Sequence, residues 1–430
     1  MTIWIKNAIM LNQKEEYRPI ELLIKQETIQ AIGEDLTALS SATDEIIDAH
    51  GALVAPGLID VHVHLREPGF SYKETIKTGT MAAARGGFTT ICAMPNVRPE
   101  PDTAEKMAAL QVKIAQDAVV KVKQYAPLTM GLHSDTLTNQ TDLLAAGAFA
   151  FTNDGVGVQT AGTMYLAMKE AAANQTVVVA HTEDDSLLFG GVMHEGIRNK
   201  ELGLPGILSA TEASQIARDV LLSEATGAHY HVCHVSTKES VRVIREAKCA
   251  GINVTAEVTP HHLLLTENDI PADSSIYKMN PPLRGKEDRQ ALIDGLVDGT
   301  IDLIATDHAP HSKAEKTGGM LGSPFGIVGS ETAFSLLYTH LVGPGLATLA
   351  QLIDWMTYKP AKVFGLEGGT IEVGQKADLA FFDLTTPKKI LAEEFLSLAT
   401  NTPFIGWEVK GTTTMTLVDG IVVYKEGSIR

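Results

Sequence analysis

Gly57-Leu58-Ile59-Asp60-Val61-His62-Val63-His64 starts as a continuous apolar run and ends in two histidines one residue apart. Runs of this length that do not alternate with polar residues suit strands buried on both faces, as in parallel sheets. Seven more follow, at 88–94, 125–130, 148–152, 177–180, 228–235, 252–258 and 301–306. Amphipathic stretches lie between them, among them 103–118 and 236–250; Thr237 stands at the start of the second and Gly251 at its end. Eight such runs alternating with helical segments predict a (β/α)8 barrel.

Outside this region the pattern changes. Residues 3–11, 20–25, 29–32 and 45–48 read as short strands, as do 377–383 and a hairpin over 415–424 that turns at Asp419-Gly420. Neither end holds enough strands for a domain alone, so both termini are expected to build one small β-sandwich. The division is 1–52 and 365–430 for the sandwich and 53–364 for the barrel. No solenoid repeat, low-complexity tract or heptad seam is present.

Composition narrows the function. Hydrophobic residues make up 44% and charged residues 20%, as in ordinary globular enzymes. A formal net charge of −17 argues against a nucleic-acid partner, because phosphates would be repelled, but leaves room for a local cationic site. Cys92, Cys233 and Cys249 have no paired spacing, so each is expected to pack as a small hydrophobe. No signal-peptide pattern and no apolar run near ~20 residues is found, which predicts a cytoplasmic chain with no membrane span.

In a barrel, reactive groups sit at the C-terminal ends of the strands. There this chain carries His62 and His64 (first strand), Asn96 (second), Asp154 (fourth), His181 (fifth), His234 (sixth) and Asp307 with His311 (eighth). With 14 His in 430 residues, chance supplies roughly 0.5 His-x-His pairs, so that pair alone is weak. Imidazoles and carboxylates at five strand ends are a stronger signal. Residues i and i+2 of a strand face the same way, which turns His62 and His64 together into the barrel mouth. Four histidines and two aspartates exceed one closed tetrahedral site. They suit two ions about 3.5–4 Å apart that share a carboxylate and a hydroxide. Asp60 is open to a role orienting a ligand or to a structural one, and His231 reads as packing or support. His133, His261 and His262 lie near strand ends with no distinguishing role, and His194, His229 and His340 read as surface or helix residues.

The stretch 58–64 resembles the first-strand signature of the amidohydrolase superfamily. Within it, His64-Leu65-Arg66-Glu67-Pro68-Gly69, Met94-Pro95-Asn96, Ala305-Thr306-Asp307-His308-Ala309-Pro310-His311 and Phe325-Gly326 resemble the class I bacterial dihydroorotases, over essentially the whole chain. The resemblance implies zinc, two ions per subunit: His62, His64 and Asp307 on one, His181 and His234 on the other, with Asp154 and a hydroxide as bridges. It implies substrate contacts from His64, Leu65, Arg66, Asn96, Asn280, His311, Phe325 and Gly326. Asp307 would act as base and then acid, with the hydroxide attacking the ring carbonyl, in the reversible interconversion of N-carbamoyl-L-aspartate and dihydroorotate in pyrimidine synthesis. A small anionic substrate, a homodimer and association with other enzymes of that pathway are implied too. Hydantoinases and allantoinases often bridge their metals with a carbamylated lysine; Phe151-Thr152-Asn153-Asp154 offers none. Those enzymes, and a non-catalytic dihydroorotase-like subunit, are the alternatives. Residues 312–323, rich in Gly and charge, have the composition of a mobile lid or of a surface loop.

Overall fold

Short strands, half of them buried at every residue, form the centre of the molecule in the computed structural model, which describes residues 2–12, 14–41 and 44–427; Met1, Gln13, Ala42, Thr43 and residues 428–430 lie outside it. Eight parallel strands follow one another around a ring: Leu58–Val63, Phe88–Ala93, Lys121–Gln124, Phe151–Thr152, Val177–Ala180, His229–Val232, Val254–Val258 and Leu303–Ile304. Bridges Ala126–Phe151 and Val63–His308 join the third strand to the fourth and the eighth to the first, closing the ring. Its interior is filled by Ile59, Val61, Cys92, Val179, Cys233 and Leu303, with Phe364 packed on the same cluster. It is therefore a core and not a pore.

Seven strands overlap their apolar runs, and the third does not. Its ladder is Lys121–Gln124, and the expected run at 125–130 lies beyond it. Lys121 reaches Asp378 at 2.6 Å and Asp419 at 2.9 Å, so the ladder opens with a charged contact to the terminal sheet and lacks an apolar signature. Helices Ala104–Asp117 and Lys238–Cys249 start where expected, because Thr103 and Thr237 cap them by accepting from the amides of Lys106 and Ser240. Cys92 and Cys233 are buried, whereas Cys249 is exposed on its helix, contrary to its expected packing role.

The terminal strands form one hydrogen-bonded sheet. Thr2–Leu11 pairs with Tyr17–Lys25 on one side and with Glu45–Asp48 and Leu53–Pro56 on the other; Leu53–Pro56 pairs in turn with Leu379–Asp383, and Thr412–Val418 and Ile421–Lys425 follow. The two layers are halves of this single sheet, curled around Ile5, Leu22, Ile24, Leu379, Phe381 and Leu417. At the Asp419-Gly420 turn both residues have positive φ, 47° and 75°. A Cβ on Gly420 would stand 2.4 Å from the Gln26 carbonyl, so glycine lets this hairpin close on the opposite one. Leu53–Pro56, grouped with the barrel by the sequence division, is a strand of this sheet. The segment 384–411, grouped with the sheet, instead places Ile390, Phe404 and Val409 among Met320, Ile327 and Leu336. No helix among the described residues is long and apolar enough to cross a membrane.

Candidate metal centre and active site

Strand ends carry the side chains inward. His62 and His64 close the first strand on one face, Asp154 and His234 come two residues after the fourth and sixth, His181 directly follows the fifth, and Asp307 lies three beyond the eighth. Arg66, His234 and Asp307 have φ of 61°, 32° and 48°, a region that L-residues seldom occupy and that clusters at functional sites.

Three groups of potential metal ligands result: His62, His64 and Asp307; Asp154, His181 and His234; and, between them, His62, Asp154 and Cys233. Asp307 Oδ1 is 3.0 Å from His64 Nε2 and 3.4 Å from His62 Nε2. Asp154 Oδ1 is 3.3 Å from His62 Nε2 and 3.9 Å from both His181 Nδ1 and His234 Nε2. Donors about 2.0–2.2 Å from a shared tetrahedral ion stand roughly 3.3–3.5 Å apart, so the spacing fits metal coordination. His62 Nε2 and Asp154 Oδ1 are buried and make no hydrogen bond, which is costly unless something else binds them. The carboxylates are ionised: burial pushes Asp154 and Asp307 up, but the imidazoles outweigh it and hold both well below the usual range. Cys233 stands beside His62 and Asp154, and burial pushes its thiol far up, so it is a neutral neighbour. The expected clustering of ligands did not include it.

Supporting groups set the tautomers. His62 Nδ1 is 2.7 Å from Glu257 Oε1, which leaves the Nε2 lone pair for a cation. Glu257 Oε2 meets His231 Nε2 at 3.1 Å, and His231 Nδ1 meets Thr255 Oγ1 at 2.8 Å. Burial pushes Glu257 up, yet His62 and His231 bring it down to about 2. Sequence reading missed Glu257, although a carboxylate inside the buried run 252–258 was a visible signal. Glu257→Gln will lower metal affinity about 10- to 100-fold. Competitive titration against a chelator checks this, and unchanged affinity would remove Glu257 from the role. Asp60 has the structural role: it accepts from Thr306 N (3.0 Å) and Thr306 Oγ1 (2.6 Å) across the seam of the ring, and burial raises its pKa to about 6.

Above the ligands a cavity is lined by His64, Arg66, Asn96, Asn280, His311, Phe325 and Gly326, with Asp154, His181, His234 and Asp307 at its floor. Leu65 is not among them; its side chain packs in the main apolar core. Asn96 Oδ1 accepts from His64 Nδ1 at 2.9 Å. Asn280 donates to Glu183. Arg66 Nε donates to the Pro310 carbonyl at 3.2 Å, and its Nη2 lies 3.4 Å from His311 Nε2. Lys73 Nζ, 3.4 Å from His311 Nδ1, makes that nitrogen the acceptor, so Nε2 carries the proton and donates to the Phe325 carbonyl at 2.7 Å. Burial, with Arg66, Lys73 and Lys316 nearby, lowers His311 to about 2 and keeps it neutral. A cationic pocket thus exists inside an acidic protein.

Segment 312–323 is anchored. Lys316, buried within it, donates to the carbonyls of Ser275, Lys278 and Pro324, and Lys278 donates to those of Met320 and Ser323. His261 is buried beside the centre, His262 donates to or accepts from Thr259 and meets the Pro281 carbonyl, and His133 is exposed. His194 and His229, read as surface or helix residues, lie in strands; His194 is buried against Arg284, and His229 is bonded to Thr255.

A dihydro-orotase-like family profile matches residues 51–240. The chain is 64% identical over 426 residues to a dihydroorotase of Enterococcus faecalis, covering 99% of each chain. It is 56% identical over 427 residues to one of Geobacillus kaustophilus, covering 99% of this chain and 100% of that one. Among solved structures, L-hydantoinase (dihydropyrimidinase) from Arthrobacter aurescens superposes with a TM-score of 0.88 at 27% identity, over 100% of this chain and 97% of that one.

Proposed function

Because the chain belongs to the dihydroorotase family, we propose that it interconverts N-carbamoyl-L-aspartate and (S)-dihydroorotate plus water in pyrimidine synthesis, as a cytoplasmic enzyme using two zinc ions. The observation that carries this reading is one cavity lined by members of both ligand groups (His64 and Asp307, and Asp154, His181 and His234) and, beside them, by the Arg66 cation and His311. His62, His64 and Asp307 would hold one ion and His181 and His234 the other, with Asp154 between them. Bound there, the ions would polarise the ring carbonyl and activate water at neutral pH.

The chain's own groups do the rest. Asp307, ionised at rest, takes a proton from the attacking water and delivers it to the departing ring nitrogen. In ring closure it takes the proton from the carbamoyl nitrogen and returns it to the leaving water. Arg66 offers the substrate carboxylate the edge of its guanidinium, and Asn96 can add an amide donor. His311 and the Phe325-Gly326 backbone border the same carboxylate end. The free thiols of Cys92, Cys233 and Cys249 agree with a reducing compartment.

The hydantoinase neighbours supply a second cyclic-amide reading, at lower identity. Arg66 beside the ligand groups favours a ring bearing a carboxylate. Assays with dihydroorotate, hydantoin and allantoin separate the readings: turnover of dihydroorotate alone is expected, and turnover of hydantoin without it would sink the proposal. Arg66→Met is expected to raise KM for dihydroorotate about 100-fold, since removing one partner of a buried charge pair costs about 2–5 kcal/mol. Its metal content, measured by atomic absorption, should match the unmodified protein, and an unchanged KM would refute the carboxylate clamp.

A further inference from the structure

Asn401 lies in the segment that leaves the terminal sheet and runs to the barrel mouth, and it is buried. The segments that frame the cationic pocket, 308–311 and 325–328, pair as a short ladder through His308–Ile327, with Ala309 N donating to the Ile327 carbonyl at 2.8 Å. The ladder stops there and leaves three main-chain groups beyond it: the His311 N–H and the carbonyls of Ala309 and Gly326. The Asn401 side chain takes all three. Its Oδ1 accepts from His311 N at 3.1 Å, and its Nδ2 donates to Gly326 O at 3.0 Å and Ala309 O at 3.3 Å. Its own carbonyl accepts from Val328 N at 3.1 Å.

An amide is the side chain that can do this, having one acceptor and two donors on a single plane. The contact between the two segments is tight. Gly326 has φ +124°, and a Cβ there would stand 2.7 Å from Ala309 Cβ and 3.2 Å from His311 Nε2. A small shift of either segment would therefore move the His311 ring and the Phe325-Gly326 backbone against Arg66. We propose that Asn401 is a positioning residue for the carboxylate end of the substrate, fixing His311 and Gly326 in register from outside the ring. This rests on the reading of dihydroorotate as substrate and of His311, Phe325 and Gly326 as its contacts. Asn401 touches none of the metal-ligand candidates, so its loss should act on substrate affinity and not on the chemical step.

The test is steady-state kinetics on the full-length metal-loaded enzyme, with Arg66→Met alongside. Asn401→Ala is expected to raise KM for dihydroorotate at least tenfold, with kcat within threefold and metal content unchanged. A merely structural role would lower the melting temperature and the active fraction without moving KM. Asn401→Asp keeps the shape and the acceptor for His311 N–H, and regains a donor only when its carboxyl is protonated. With at most one donor where the native amide has two, its KM should lie between that of the unmodified enzyme and that of Asn401→Ala. KM within twofold of the unmodified enzyme for Asn401→Ala would overturn the inference. Should that variant not fold, a KM within twofold of the unmodified enzyme for Asn401→Asp would overturn it. If Arg66→Met raises KM while both Asn401 variants do not, this inference fails alone. Absence of dihydroorotate turnover in the unmodified enzyme would overturn the substrate reading and this inference with it.

Discussion

Asp307→Asn will lower kcat at least about 10³-fold in both ring opening and ring closure, because general acid–base transfer is worth 10²–10⁴ and this one group serves both proton transfers. The substitution is isosteric, and Oδ1 can still face His64 Nε2, 3.0 Å away in the native protein. Lost are the negative charge and the capacity to carry a proton. The native carboxylate is kept ionised: burial opposes this, but the contact with His64 and the neighbouring His62 and His234 outweigh it. An equal loss in the two directions is the discriminating feature, since microscopic reversibility routes both through the same carboxylate. Assays at saturating zinc, with metal content measured beside them, separate lost chemistry from a lost ligand, since Asp307 also belongs to the first ligand group. Turnover within tenfold of native would remove Asp307 from the role.

Chelation will abolish turnover, and zinc will restore it with an endpoint at two equivalents per chain. Without cations the centre holds ionised carboxylates against imidazoles, with His62 Nε2 and Asp154 Oδ1 buried and unpaired. Ligands that bind the folded state stabilise it by RT ln(1 + [L]/Kd), about 4.1 kcal/mol when free metal is 1,000 times Kd. The metal-free protein should therefore melt several degrees lower, in a transition that shifts with zinc concentration. Acid should weaken binding as well, because imidazole ligands must be neutral to coordinate. Full activity after exhaustive chelation would sink the metal reading, and an endpoint at one equivalent would sink the pair.

The ring and the ligand candidates were legible in the sequence because both are written locally. A buried strand needs a continuous apolar run, and its reactive residue follows within three positions, as Asp154 follows Thr152 and Asp307 follows Ile304. Lys121–Gln124 escaped because Lys121, Lys123 and Gln124 break any apolar run, Lys121 being paired to Asp378 and Asp419. What acts through distant partners was not legible. Glu257 supports His62 from 195 residues away, and Asn401 holds His311 from 90. Leu65 stands between His64 and Arg66, but its side chain packs in the core, so only its backbone is placed to face the site. The curl of the terminal sheet likewise depends on strands at opposite ends of the chain and has no signature in either.

That closure of the ring by its last strand on its first has a consequence for the order of events at the ribosome. His64 and Asp307 are 243 residues apart in sequence. At 5–20 residues per second, roughly 12–50 s separate their synthesis. The terminal sheet waits longer still, since Leu53–Pro56 needs Leu379–Asp383 as its partner. Until then the nascent chain carries unpaired strand edges, a state open to association with other chains. The first ligand group cannot be complete before the eighth strand emerges, so metal uptake there would mark a closed ring, ahead of the terminal sheet.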